Sequence, residues 1–144
     1  MGASGQYGPE LTREGDHSCF VGAGAFLSTP SDLARFGMAM RSGQLLQPAT
    51  VTLLQTSLRL PSGEETGYGL GWKLETVTLA GKPTPMAGHG TQQDFIGGTA
   101  YLLTFPERGI VVAVTSNISF ADMKSVGLKI AQAFAEQAQN PGRR

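Results

Sequence analysis

Apolar residues between Thr29 and Gly43 recur at helical spacing, with Leu33, Phe36 and Met40 on one face. Thr29 suits the cap of that helix, Pro30 its first position, and Asp32 stands where a capping-box acid belongs. Gly43 is the expected stop. A shorter helix is predicted from Pro48, with Val51 and Leu54 turned inward. Pro61-Ser62-Gly63 and Glu64-Glu65 read as a polar loop.

The pattern then changes period. Tyr68 to Val77 mixes aromatic and β-branched residues and reads as strand. Gly81-Lys82-Pro83 marks a turn, and Pro83 and Pro85 restrict their neighbourhood to an edge or irregular stretch. Gln92 to Gly98 reads as a loop. Thr99–Phe105 and Ile110–Thr115 are predicted strands, joined as an antiparallel hairpin through Pro106-Glu107-Arg108-Gly109. The run Ile110-Val111-Val112-Ala113-Val114 is apolar on both faces, which predicts a place in the sheet centre with both faces covered.

The last apolar period is helical again, from about Phe120 to Gln137. Ser119 is the expected cap, Asp122 sits three positions on, and Met123, Val126, Ile130 and Phe134 form the stripe expected to pack on the core. Residues 1 to 22 are Gly-rich with no period and read as an irregular approach, residues 23–138 as the folded domain, and the polar tail 139–144 as frayed. The expected class is α+β: two short N-terminal helices, an antiparallel sheet of three strands, and a C-terminal helix packed on one sheet face. One covering helix leaves the second face short of cover, which the first two helices make good only in part. That shortfall points to a missing piece of protein.

Composition narrows the function classes. The chain has 144 residues, 40% of them hydrophobic, which suits a folded domain. Eleven basic residues balance eleven acidic ones. Zero net charge gives no reason to expect a nucleic acid or an anionic membrane as partner. No stretch is long and apolar enough for a bilayer helix, and the N-terminal ten residues lack the basic start and apolar centre of a signal peptide. Cys19 is the single cysteine and has no internal disulfide partner. His17, Cys19 and His89 lack the paired spacing of zinc ligands, so no metal is expected. Asp16-His17-Ser18 holds hydrolytic residue types, but neighbours on an extended chain do not converge on one point.

Four segments in a fixed order carry a resemblance: Gly24 to Leu33, Tyr68-Gly69-Leu70-Gly71-Trp72, Gly88-His89-Gly90-Thr91, and Tyr101 to Asn117. From roughly Val21 to Glu136 the chain resembles the C-terminal part of the serine β-lactamase-like proteins, the class C and penicillin-binding group that includes the mitochondrial β-lactamase-like serine protease. The resemblance implies a β-lactamase/transpeptidase-like fold. It also implies that Gly88-His89-Gly90-Thr91 begins one wall of an active-site cleft. His89 takes the place of the family's Lys or His, which organises polar groups around nucleophile and substrate. Gly90 and Thr91 follow it along the substrate path, and the Gln92 N–H is the candidate oxyanion donor. Thr91 stands where the family has Gly, so its β-carbon intrudes where substrate backbone is expected to lie. Read without the family, a histidine between glycines is equally a turn residue with a satisfied side chain. Trp72 reads as core or cleft wall, and Asp94 as either a rim contact or a solvated loop residue.

The family attacks with a serine in Ser-x-x-Lys, helped by a tyrosine in Tyr-x-Asn, and neither motif occurs in this sequence. The resemblance therefore implies part of a serine hydrolase acting through an acyl-enzyme on β-lactams, D-alanyl peptides, esters or peptides, and inactive alone. No cofactor is implied. The implied partners are a small-molecule or peptide substrate and the missing N-terminal part of the same domain. Self-association through an uncovered sheet face is the alternative, in a non-catalytic binding or assembly module of the same fold. A complete small hydrolase using Ser18 or Ser28 is a third reading, although Ser28 stands beside a helix start, where capping is its commoner use.

Overall fold

Threonine 29 starts the first helix as its sequence predicts. The computed structural model describes residues 16, 19, 22, 26–91, 98–118, 121–140 and 142. Helix α1 spans Pro30–Arg41, and the Thr29 hydroxyl accepts the Asp32 N–H at 3.1 Å. That hydroxyl also donates to the Asp32 carboxylate at 2.9 Å, and Arg35 reaches the other oxygen at 2.7 Å. These contacts, Thr29 first, hold the exposed Asp32 carboxyl below its usual range. Gly43 follows the helix at φ +75°, the left-handed position that favours glycine after a C-cap.

The face that α1 buries is the predicted one only in part: Leu33 is half-buried and Met40 buried, but Phe36 is not. Gly37 and Met40 are buried, whereas Phe36 is 45% exposed. A β-carbon at Gly37 would lie 2.7 Å from Val111 Cγ1 and 3.2 Å from Leu102 Cδ1. The helix comes so close to the sheet that the residue without a side chain faces it, and Phe36 is rotated aside. Helix α2, Pro48–Leu54, packs half-buried Val51 and Leu54 against the same side of the sheet, as expected.

The sheet has four antiparallel strands in chain order: β1 (Lys73–Leu79), β2 (Lys82–Gly90), β3 (Thr99–Phe105) and β4 (Ile110–Ser116). The expected count was three, because Pro83 and Pro85 argued against a full strand. Both prolines lie in β2, paired with Thr78 and Thr76 of β1. The ladder from β2 to β3 covers only Ala87–Gly90, so the prolines sit in the half of the strand that pairs on one side. Their missing N–H groups are tolerated there. The first strand of the set starts at Lys73 rather than Tyr68, which forms only an isolated bridge. Ala80 and Gly81 make the β1–β2 turn, both at positive φ (48° and 74°), the geometry of a tight hairpin. The β3–β4 hairpin closes through a short 3-10 turn at Pro106–Arg108 and left-handed Gly109.

Strand β4 is covered on both faces, as its apolar run requires, but it stands at the end of the sheet order instead of the centre. Helix α1 lies over β4 and β3 on one face, and helix α3 (Met123–Gln139) lies over them on the other. Two cores result. Leu79, Met86, Leu103, Phe105 and Val112 meet Ala131 and Ala135 under α3. Met40, Trp72, Ala87 and Leu102 form the core under α1 and α2. The second face is thus better covered than the sequence suggested.

Helix α3 departs from expectation in start and in face. Asp122 is itself the cap, its carboxylate accepting the Ser125 N–H at 3.0 Å, and the predicted cap Ser119 and start Phe120 lie outside the described residues. The buried stripe is Gly127, Ala131 and Ala135; of the expected stripe, Met123 is half-buried and Ile130 packs against the core, while Val126 and Phe134 are 40% and 59% exposed. A β-carbon at Gly127 would stand 2.8 Å from Leu103 Cδ1. Small residues at i, i+4 and i+8 let the helix settle onto the large side chains of β3 and β4, so the sheet supplies the bulk that the helix lacks. The helix runs through Gln139. Most of the expected N-terminal approach, the loop at Gln92–Gly97 and half of the tail lie outside the described residues. Among the described residues no helix is long and apolar enough to cross a membrane.

Candidate functional site

Tyr68-Gly69-Leu70-Gly71-Trp72 forms a folded anchor between α2 and the sheet. Trp72 is 6% exposed and packs with Met40, Ala87 and Leu102. The Leu70 N–H donates to the Leu54 carbonyl at 2.9 Å, and the Gly69 N–H to the Trp72 carbonyl at 2.7 Å. Each glycine has a separate cause. Gly69 is buried so tightly that a β-carbon there would sit 2.2 Å from the Leu54 oxygen, and Gly71 is at φ +83°. With Trp72 held below and Leu70 tied to α2, Tyr68 projects toward the end of β2.

That end carries His89. The β1–β2 ladder stops at the pair Lys73 and Gly88, so His89 and Gly90 continue past the end of β1 while pairing with Leu102 and Tyr101 on β3. The imidazole is exposed, and its Nδ1 lies 3.2 Å from the Tyr68 hydroxyl. With Nδ1 engaged, Nε2 is the nitrogen left for a ligand. Alternation along the strand places the His89 side chain on the face of Ala87 and Leu102, and the positions of Gly88 and Gly90 on the α3 face.

The other predicted site residues divide. Gly90 stands beside His89, but its lack of a side chain has a packing cause: a β-carbon would lie 2.4 Å from the Tyr101 ring. The Thr91 N–H donates to the Ala100 carbonyl at 3.0 Å, so it serves the sheet. Gln92 and Asp94 lie outside the described residues, as do His17 and Ser18. Cys19 is exposed. Ser28 does not cap α1; its hydroxyl donates to the Thr29 carbonyl at 3.4 Å, and Thr29 is the cap.

A cavity of about 120 Å³ adjoins His89, lined by Tyr68, Lys73, Glu75, Met86, Gly88, Gly90, Tyr101, Leu103 and Lys124. Glu75 is its electrostatic centre. Lys124 Nζ lies 2.6 Å from one carboxylate oxygen and Lys73 Nζ 2.8 Å from the other. The hydrogen bond from Lys124, then that from Lys73, holds the Glu75 carboxyl below its usual range. Burial pushes the Tyr101 hydroxyl up. A larger hollow of about 530 Å³, lined by residues such as Gln55, Ser57, Thr76 and Pro106, has no imidazole on its wall. Its one serine, Ser57, donates to the Leu58 carbonyl and accepts the Gly67 N–H. We therefore place the candidate site at the smaller cavity, where the titratable groups converge. Among the described residues no group of three or more His, Cys, Asp or Glu side chains is placed to hold a metal ion.

Sequence reading treated Tyr68 as scaffold and passed over Lys73, Glu75, Tyr101 and Lys124. Lys73 and Glu75 are two apart on one strand and therefore share a face, which was a readable signal. Nothing local to Lys124 announces that α3 carries it to β1.

No curated protein matches the chain. The family model described as Beta-lactamase matches residues 2–136. That match takes in both helices before the sheet, the Tyr68–Trp72 anchor, the His89 strand and nearly all of α3. The chain belongs to the beta-lactamase family, whose hydrolase fold places this sheet and its closing helix together.

Proposed function

We propose that this chain forms the His89 wall of a serine-hydrolase cleft that works through an acyl-enzyme, with the attacking serine supplied by protein outside this sequence. The observation that carries the reading is the Tyr68–His89 contact beside a cavity, in a chain matched by the family over residues 2–136. The imidazole is held through Nδ1 on a strand that outruns its neighbour, so Nε2 and the strand edge face the space where a substrate would lie. The role of His89 in this reading is to organise polar contacts around nucleophile and substrate, with Gly90 and Thr91 continuing the wall and Gln92 supplying an N–H donor to developing negative charge. Substrates in this reading are β-lactams, D-alanyl peptides, esters or peptides.

The chain alone lacks Ser-x-x-Lys and Tyr-x-Asn and is expected to be inactive. Incubation of the purified protein with nitrocefin and with an activated ester tests this. Turnover at the background rate is the expected result. Turnover abolished by one Ser→Ala change within this sequence would overturn it.

A second reading, a non-catalytic assembly module, is favoured by one observation. Among the described residues no strand pairs with the outer edge of β4, a seven-residue strand with no charged residue or proline to blunt it. Light scattering behind size-exclusion chromatography separates the readings. Association through this edge predicts a dimer or larger species, and a clean monomer at high micromolar concentration counts against it.

A further inference from the structure

The outer edge of β4 and one flank of α3 make a single uncovered surface. Among the described residues no strand pairs with that edge. At the other end of the sheet, β1 carries Lys73 and Glu75, and its Leu74 N–H donates to the Gly67 carbonyl at 2.8 Å; β4 carries no charge at all. Helix α3 turns its opposite flank to β1, where the Gln132 side chain accepts the Ala80 N–H at 2.9 Å and Lys124 donates to Glu75 at 2.6 Å. Ile130 stands two residues from Gln132, about 200° around the helix. The stripe Val126, Ile130, Phe134, one side chain every four residues, therefore overhangs the free edge, and its two ends are exposed. Ile118, just past the end of β4, is exposed as well.

We propose that a second copy of this chain covers this surface through a two-fold axis, an inference that rests on the assembly reading above and gives it a partner and a geometry. The surface is complementary to itself. An axis at Ala113, the middle residue of β4, runs the strand antiparallel to its copy and sets Val112 opposite the partner's Val114. Both belong to the α3 side, so each apolar face stays on its own side. The same axis suits the helix. A β-carbon at Gly127 would lie 3.7 Å from Val114 Cγ2, and α3 runs back along β4 from there. Three residues further, about 4.5 Å of rise, bring Ile130 level with Ala113. With α3 shared between β4 and β3, a strand spacing of about 4.8 Å puts the two helix axes about 10 Å apart, where helices pack. Antiparallel about Ile130, Val126 meets the partner's Phe134. Lys129 and Glu136, both exposed and seven apart on the solvent flank of the stripe, then bring opposite charges together across the axis.

Analytical ultracentrifugation from micromolar to millimolar concentration tests the proposal. The expected species is a dimer that grows no further, because a two-fold interface closes on itself. Phe134→Lys changes an exposed side chain and should raise the dissociation constant about tenfold or more. Lys129→Glu and Glu136→Lys should each weaken the dimer severalfold. The double variant Lys129→Glu/Glu136→Lys should restore it, since only an antiparallel pair regains opposite charges when the two are exchanged. A monomer throughout the range overturns both this proposal and the assembly reading, and leaves the surface to the protein that carries the serine. A dimer that these variants leave intact, a double variant no tighter than the singles, or an open-ended ladder of species overturns this proposal alone, because the assembly reading asks only for association.

Discussion

Replacing Gly69 with alanine tests how the Tyr68–Trp72 anchor is held. The added methyl would sit 2.2 Å from the Leu54 carbonyl oxygen and 3.1 Å from that of Thr56, both backbone atoms. A flexible side chain could swing away, but here either the end of α2 or the Gly69 turn has to move. Overpacking of this kind costs about 1–3 kcal/mol. The movement also strains the Leu70 N–H to Leu54 bond, worth about 0.5–1.5 kcal/mol. The sum is a loss of about 2–4 kcal/mol. Gly63→Ala is the contrast, since Gly63 is at positive φ (+86°), which Gly69 is not, and has nothing within 4 Å of its would-be β-carbon. It should cost only the left-handed strain, about 1–2 kcal/mol. Urea unfolding followed by Trp72 fluorescence measures both. With a slope of about 1–3 kcal/mol per molar urea, Gly69→Ala should lower the midpoint by about 1–2 M, clearly more than Gly63→Ala does. The His89 ring resonances should also shift in Gly69→Ala, because Tyr68 moves with the turn. A loss under about 1 kcal/mol, with His89 unchanged, would refute the claim that close backbone approach dictates glycine here.

Three further outcomes are expected. Phe105 is fully buried under α3, and Phe105→Ala should cost about 3–5 kcal/mol in the same urea assay. Ala80 holds φ +48° in the β1–β2 turn, so Ala80→Asn, a residue that tolerates this region, should raise the urea midpoint slightly; a lower midpoint would count against the turn geometry. Glu75 has a folded pKa below its ordinary value because Lys124 and Lys73 bond its carboxylate. The stabilisation is therefore complete above the ordinary carboxylate range and is lost as pH falls through the lowered value. Urea midpoints measured from pH 6 down to pH 2 should fall less steeply for Glu75→Gln than for the unaltered protein, and parallel curves would contradict the assignment.

Local chemistry was enough for the types of every element but β2 and for several boundaries. Thr29 and Pro30 define where α1 begins, Pro48 opens α2, and Pro106 with Gly109 closes the β3–β4 hairpin, because capping and turn preferences act within a few residues. The apolar run of β4 correctly announced two covered faces. The order of motifs identified the family, and with it the fold. What failed, in part, was the choice of which face of α1 and of α3 meets the sheet. Of the stripe Met123, Val126, Ile130 and Phe134 taken for core, Ile130 packs against it and Met123 is half-buried, but Val126 and Phe134 are exposed, and the fully buried residues are Gly127, Ala131 and Ala135. Hydrophobicity reports what gains by leaving water, but close packing of a helix on large strand side chains selects for small residues, and that demand comes from the partner surface. The prolines of β2 mislead for a related reason, since whether a missing N–H matters depends on which side the next strand covers.

The same division runs through the site. His89 was legible as a chemical residue among glycines, and Tyr68 was legible only as part of a motif. Their contact joins residues 21 apart, and Glu75 meets Lys124 across 49. Sequence alone determined the capped helices, the tight turns and the family. The folded sheet decided that Tyr68 reaches the imidazole, that the Tyr101 ring lies over Gly90, and that two lysines gather over one carboxylate. Those juxtapositions depend on strand register and on where α3 lands, quantities that no single segment of chain encodes.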